Sequence, residues 1–266
     1  MNIPGNVSFQ NRVHRDSDFI GSLRRGKMIF MCGRYTLRSN PTVIAEAFGL
    51  FDEPAEFAPR YNIAPTQTVA AVVIDPHTKR RRLRSFVWGL IPSWADDPKI
   101  GNKLLNARAE TIAEKPSFRD AFRKRRCLLV ADGFYEWRRE GKSKRPFHIR
   151  RRDGRPFGMA GLFEHWRRGD LAVDSCTIVT TTPNELMAEL HDRMPVIVDA
   201  ADFETWLDPQ SIDEHRLHQL LKPAPAETWE AVEVGATVNR AGNETPDCLA
   251  APPEAPPPKQ VNRTLF

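Results

Sequence analysis

"CLLVADGFYEW" (127–137) reads as a buried strand broken at Asp132-Gly133. Its first half is a continuous apolar run, the mark of a strand covered on both faces. The Asp-Gly pair then interrupts it with turn chemistry. Working outward, "TVAAVVI" (68–74) is a second strand-like run, "DPHTK" supplies turn residues, and "LRSFVWGL" (83–90) alternates enough to be the return strand. "RPFHIRR" and "PFGMAGLFEHW" flank Asp153-Gly154, the signal of a hairpin. "CTIVTT" (176–181), "PVIV" (195–198) and "WEAVEV" (229–234) add further strands. Helices are expected over "PTVIAEAFGL" (41–50), with Asn40 or Thr42 near its N-cap and Gly49 near its end, and over "PSFRDAFRKR" (116–125). Others are expected over "NELMAEL" (184–190), capped by Asn184, and over 201–207 and 213–221. Residues 92–106, with Pro92, Pro98 and Gly101, read as loop. Many short strands with helices inserted between them, and no internal repeat, point to one α+β domain. Its core is a curved, mostly antiparallel, barrel-like sheet with peripheral helices.

The chain has 266 residues, 41% of them hydrophobic, enough for a sizeable core and too many for global disorder. No apolar run approaches the ~18 residues that span a bilayer, so no membrane association is expected. Residues 1–30 show no helix or strand period and no apolar h-region; they read as a flexible arm or as sequence ahead of the true start at Met31. Cys32, Cys127, Cys176 and Cys248 form no C-x-x-C pair, which suggests neither a zinc knuckle nor a redox pair and fits a reducing cytoplasm. No phosphate-cradling glycine motif is present, and no metal or organic cofactor is expected. The formal net charge of +5 is gathered in "KRRRLR" (79–84), "RKRR" (123–126) and "RRR" (150–152). Such runs are usually solvated faces, but three on one domain suggest a polyanionic partner.

Four polar stretches interrupt apolar segments: "MCGRY" (31–35), "NARAE" (106–110), "GFYEW" (133–137) and "HDRMP" (191–195). Glu136 is either an outward-facing residue at a strand end, which periodicity favours, or a buried carboxylate tuned for proton transfer. His191 follows an amphipathic helix, as a surface residue or an acid–base group. His215 and His218 have no further ligand spaced to help them and read as surface residues. Asn106 can orient a nucleophile or a carbonyl, and Arg108 can bind a phosphate bidentately; both are expected in a loop. Trp94 is a loop aromatic, either a cap on the core or a platform for a base.

Taken in order, "MCGRY", "RYNIAPTQ" (60–67), "WGLIPSW" (88–94), "NARAET" (106–111), "GFYEW", "TTTPN" (180–184) and "HDRMPVIV" (191–198) closely resemble the SOS-response-associated peptidase (SRAP) family. The resemblance runs from Met31 to Val238-Asn239. The expected organisation is an arm over 1–30, a catalytic domain over 31–245 and a proline-rich tail over 246–266. The resemblance implies a protein that senses abasic sites in single-stranded DNA and bonds to them covalently through Cys32, once the residues before it are removed. It puts Asn106, Glu136 and His191 at the family's active-site positions, and Arg34, Trp94 and Arg108 at positions that hold DNA. A cysteine at a free N-terminus carries an amine and a thiol in 1,2 relation, so a Schiff base with an aldehyde can close to a thiazolidine. The same Schiff base implies AP-lyase activity as a competing reaction. Two rivals stay open: a cysteine peptidase built on Cys32, His191 and Asn106, and a non-covalent binder of modified DNA. The expected state is a monomer in the cytoplasm, on the nucleoid when bound to DNA.

Overall fold

The break at Asp132-Gly133 is the point at which the chain leaves one β-sheet for another. The structure, a computed structural model, describes residues 33–253 apart from 53, 55, 142, 211 and 212. The expectations for the arm and for Cys32 lie outside the described residues. In chain order the elements are β1 (Tyr35–Leu37), α1 (Pro41–Phe48), β2 (Arg60–Ile63), β3 (Thr68–Ile74), β4 (Arg81–Trp88), β5 (Asn106–Arg108) and α2 (Arg119–Lys124). Then come β6 (Arg126–Ala131), β7 (Gly133–Glu140), β8 (Ser143–Arg151), β9 (Phe157–Arg168), β10 (Leu171–Thr181), α3 (Glu185–Ala188), β11 (Met194–Pro195) and β12 (Ile197–Val198). The last are α4 (Phe203–Leu207), α5 (Glu214–Gln219) and β13 (Trp229–Glu233).

One sheet runs β10-β4-β3-β6-β9 and closes on itself, because β9 also pairs with β10 from Leu171↔Arg168 to Ile178↔Gly161. Closure leaves these strands no open edge. It also explains the apolar run of β6, every residue of which is buried. The second sheet has the order β13-β8-β7-β1-β2 and is antiparallel throughout. The parallel pairings are those of β10 with β4 and with β5. The α+β, barrel-like expectation therefore holds. Trp88, Trp206, Phe86, Phe122 and Phe134 fill the core completely shielded from solvent.

Three local expectations are corrected. β8 and β9 do not form a hairpin: β8 pairs with β7 and β13, and β9 with β6, β10 and β12. Asp153-Gly154 is a turn, with Gly154 at φ 69°, but the chain uses it to cross between sheets. Local turn chemistry is the same in both cases, and only distant partners decide between them. Asn106–Arg108 is a strand, too short to show a period by itself. The packed chain also continues beyond the boundary expected at 245: Cys248 is fully buried and Gly235 N–H bonds to Ala250 O at 2.8 Å.

Asp132, buried between β6 and β7, binds the end of β1. Its backbone N–H donates to Thr36 O at 3.0 Å. Its carboxylate accepts from Thr36 Oγ1 at 2.6 Å, from Ser39 N at 2.8 Å and from the Arg38 amide. Burial would push this carboxyl up, but the donors outweigh it and hold the pKa below its usual value. The Thr36 hydroxyl gives its proton to Asp132, so its oxygen is the acceptor for His148 Nε2 at 3.2 Å. Burial, helped by the Arg38 charge, lowers the His148 pKa to about 3, so the ring is neutral. The ring lies on Gly133, where a Cβ would come within 2.0 Å of Nε2.

The basic runs turn out to be held by the fold. Arg82 pairs with Asp75 at 2.7 Å, Arg84 with Asp174 at 2.6 Å, Arg123 with Glu214 at 2.7 Å and Arg125 with Glu164 at 2.6 Å. Arg150 pairs with Glu230 at 2.8 Å and Arg151 with Asp153 at 2.7 Å. Arg126 is buried and donates to the carbonyls of Phe122, Arg123 and Trp206. Most arginines of these runs thus have a partner within the chain, several of them at exposed positions.

Two outcomes follow for this pivot. Gly133→Ala should cost about 1–3 kcal/mol in urea unfolding, from overpacking against the imidazole. Combined with His148→Ala, the total loss should fall short of the sum of the two single losses. In the second test, His148 is neutral when folded but takes a proton near pH 6.5 when unfolded. Its stabilisation is complete above about pH 6.5 and is lost as pH falls toward 3, by at most about 1.4 kcal/mol per unit. His148→Gln, which keeps an N–H donor, should flatten that slope between pH 6.5 and 4.5; an unaltered slope would assign it to other groups.

Candidate functional site

The C-terminal end of β10 gathers two of the four polar stretches. On one edge β5 runs parallel to it, with Asn106 opposite Ile178 and Arg108 opposite Thr180. β11 pairs antiparallel, with Pro195 opposite Thr180 and Met194 opposite Thr181. Thr180 has a partner in each ladder, and a strand residue has one partner per edge, so β5 and β11 flank it on opposite sides. Asn106 and His191 are thereby brought to the same end of β10 from segments far apart in sequence.

Arg193 locks the arrangement. Its guanidinium is bidentate to Glu110, at 2.5 and 2.9 Å, and donates to Thr180 O at 2.6 Å. The Glu110 carboxyl is held below its usual pKa by this bond. The pair ties the segment after Arg108 to the segment after His191. Sequence reasoning missed it, although the opposite charges in "NARAE" and "HDRMP" were a visible signal.

His191 is half-buried, and its Nδ1 accepts the Arg193 backbone N–H at 3.2 Å. The same nitrogen lies 2.9 Å from Asp192 Oδ1, a contact that would favour the charged ring. Burial lowers the pKa and outweighs Asp192, whose side chain is 85% exposed and screened by water; the charges of Arg139 and Lys144 lower it further. The shift favours the neutral ring.

Glu136 is 2% exposed, which overturns the outward-facing reading that periodicity favoured. It pairs with Phe147 in the β7–β8 ladder and shares a face with Phe134, two positions earlier and fully buried in the core. β1 runs antiparallel beside it, with Thr36 opposite Gly133, Tyr35 opposite Phe134, and Tyr135 N–H bonded to Arg34 O at 2.9 Å. Continuing that register brings Gly33, the residue after Cys32, level with Glu136.

Arg34 is built into the wall beside them. Its Nη1 donates to Asn62 Oδ1 and Val238 O, both at 2.9 Å, and its guanidinium carbon lies 6.0 Å from the centroid of the Trp137 ring. Asn62 is fully buried and also binds the carbonyls of Arg240 and Asn243, so "RYNIAPTQ" anchors the C-terminal segment. Arg108 is exposed at the end of β5. Trp94 is 52% exposed, and its carbonyl accepts from Arg168 at 3.4 Å. Its loop crosses β10 at Ser175, so Trp94 lies toward the β9–β10 turn and not with Asn106 and His191. Among the described residues, no three His, Cys, Asp or Glu side chains gather as a metal site.

The sequence profile of the SOS response associated peptidase (SRAP) family matches residues 31–241. The chain is 44% identical over 223 residues to the abasic site processing protein YoqW of Bacillus subtilis, covering 82% of this chain and 99% of that protein. It is 30% identical over 265 residues to the abasic site processing protein HMCES of Xenopus tropicalis, covering 83% and 78%. A crystal structure of a protein from Bacteroides thetaiotaomicron superposes with a TM-score of 0.73 at 27% identity, covering 83% of this chain and 99% of that one.

The Arg193–Glu110 lock is open to test. Glu110→Ala leaves a buried guanidinium with a carbonyl partner and no carboxylate. The expected loss in urea unfolding is about 1–3 kcal/mol, below the 3–5 of a fully buried pair because the Glu110 side chain is 47% exposed. An unchanged unfolding midpoint would show that the pair holds nothing together.

Proposed function

Because the chain belongs to the SOS response associated peptidase (SRAP) family, we propose that it detects abasic sites in single-stranded DNA and bonds to them covalently through Cys32. The relatives named for abasic site processing support the substrate. The observation that carries the chemistry is the register of β1 on β7, which runs the chain just after Cys32 alongside the buried Glu136.

An abasic deoxyribose equilibrates between a closed ring and an open aldehyde. His191, kept neutral by burial, relays the anomeric hydroxyl proton to the ring oxygen as the ring opens. With the residues before it removed, Cys32 offers an α-amine with a reference pKa of about 7.7–8.0, partly neutral at physiological pH. The amine adds to the aldehyde carbon and one water leaves, giving the Schiff base. The thiolate then adds to the same carbon while the nitrogen takes a proton, closing a five-membered thiazolidine. Glu136 carries the protons of addition, dehydration and reversal. Asn106 holds the amine or the sugar oxygen. Arg108 contacts a phosphate, Arg34 lines the wall along which the strand lies, and Trp94 offers its exposed ring to a base of that strand. The Schiff base also acidifies the neighbouring sugar carbon, so β-elimination accompanies crosslinking as AP-lyase activity. The peptidase activity in this reading is removal of the residues ahead of Cys32 in the protein itself. The protein works in the cytoplasm, on the nucleoid when DNA is bound.

Incubation with abasic single-stranded DNA followed by a denaturing gel tests the reading. A covalent band that shifts with the protein is expected; a cleaved peptide substrate without a shifted band would favour a peptidase. Cys32→Ala should lose the heat-stable band yet remain trappable by borohydride, because the amine persists. Glu136→Gln should bind undamaged DNA normally and crosslink slowly at saturating DNA. Arg108→Ala should bind more weakly, with a salt slope shallower by about 0.7, and recover its yield at saturation. Unchanged heat-stable crosslinking by Cys32→Ala would refute Cys32 as the nucleophile.

A further inference from the structure

We propose that the end of the β7–β8 hairpin is a second phosphate-binding arm, in which Arg139 and Lys144 grip the backbone of the strand beside His191. This rests on the DNA reading above and adds to it a contact point outside the motifs. Arg139 and Lys144 sit directly opposite one another in the ladder. Like charges facing across a β-ladder repel and cost stability unless something neutralises them. The adjacent rung is also a like-charge pair, Arg138 opposite Arg145. There the fold supplies counter-charges: Glu140 bonds Arg138 at 2.8 Å and Arg145 at 3.0 Å, and Glu233 bonds Arg145 as well. Arg139 and Lys144 are both exposed, and among the described residues no side-chain hydrogen bond or ion pair holds either one. Arg82, Arg123 and Arg150 of the basic runs each have a carboxylate partner, which this rung lacks among the described residues.

Facing side chains in a ladder start ~5 Å apart, so an ammonium and a guanidinium can converge on one phosphodiester. Trp137, half-buried two positions before Arg139 in β7, adds an aromatic edge to the same arm. The arm lies near enough to His191 for both cations to disfavour its protonation. The other charge bearing on His191 is Asp192, on its own segment; the Arg193 guanidinium is turned to Glu110 and Thr180 O. A phosphate bound at the rung would cancel the two cations and raise the proton affinity of His191, so strand binding and the acid–base state of the site would be coupled.

The test uses the full chain with Arg139→Gln and Lys144→Gln together, both at exposed positions where the fold is not at stake. The probe is an undamaged fluorescent oligothymidylate, its affinity read by anisotropy across a potassium chloride series. The salt slope should become shallower by about 1.4, at ~0.7 per single-strand phosphate contact. Removing two cations on α2, by Arg119→Gln with Lys124→Gln, should leave the slope as it was. In the DNA-free protein, the hairpin double variant should also raise the His191 midpoint followed by NMR. Binding by the unmodified protein with the same slope in the hairpin variant overturns the arm alone. No binding of the oligonucleotide by the unmodified protein overturns the DNA reading, and the arm with it.

Discussion

The Asp132 carboxylate is the fixed point about which the molecule is arranged. It sits where the chain passes from the closed barrel into the second sheet, and both of its oxygens are taken by the end of β1. A buried carboxylate without donors would be costly, so β1 cannot slide along β7 without leaving that charge uncompensated. A one-residue slip would also turn every β1 side chain to the opposite face. The bonds to Thr36, Arg38 and Ser39 therefore set the register of β1, and with it which residue of β7 the chain meets just after Cys32. The same network explains Gly133 and the neutral His148, which share the space behind the switch.

The candidate residues are divided between the two sheets. Asn106 and His191 belong to strands or segments on either edge of β10, in the barrel sheet. Glu136 and Arg34 belong to the second sheet and its border. Neither sheet holds the whole set. The Arg193–Glu110 pair closes the barrel side, and the Asp132 network orients the other. Asn106, Arg108 and Glu136 lie in strands, while Arg34, Trp94 and His191 lie outside them.

Charge placement carries a second lesson. Clustered arginines in a sequence suggest a polyanion, yet most of these close ion pairs with nearby strands and turns. What distinguishes a cation available to a ligand is the lack of a carboxylate within reach, and that depends on partners far away in sequence. Arg82 with Asp75 and Arg123 with Glu214 are each satisfied at home. Arg139 opposite Lys144 has no counter-charge among the described residues.

Much was legible in the sequence. Asn40 and Asn184 cap their helices by accepting from the backbone N–H three residues on, and Gly49 ends α1 in a left-handed turn. These are local effects, decided within a few residues. The motif series identified the family, whereas the burial of Glu136, which periodicity placed facing outward, was decided by the second sheet. What only the tertiary structure decided was pairing. Asp132-Gly133 and Asp153-Gly154 both look like turns, and both prove to be crossings between sheets because the partners of the flanking strands lie far along the chain. Asn106–Arg108 is too short to carry a period and becomes a strand only because β10 offers it an edge. Composition and local pattern record what each segment can form; hydrogen-bond partners and counter-charges from distant segments settle what it does form.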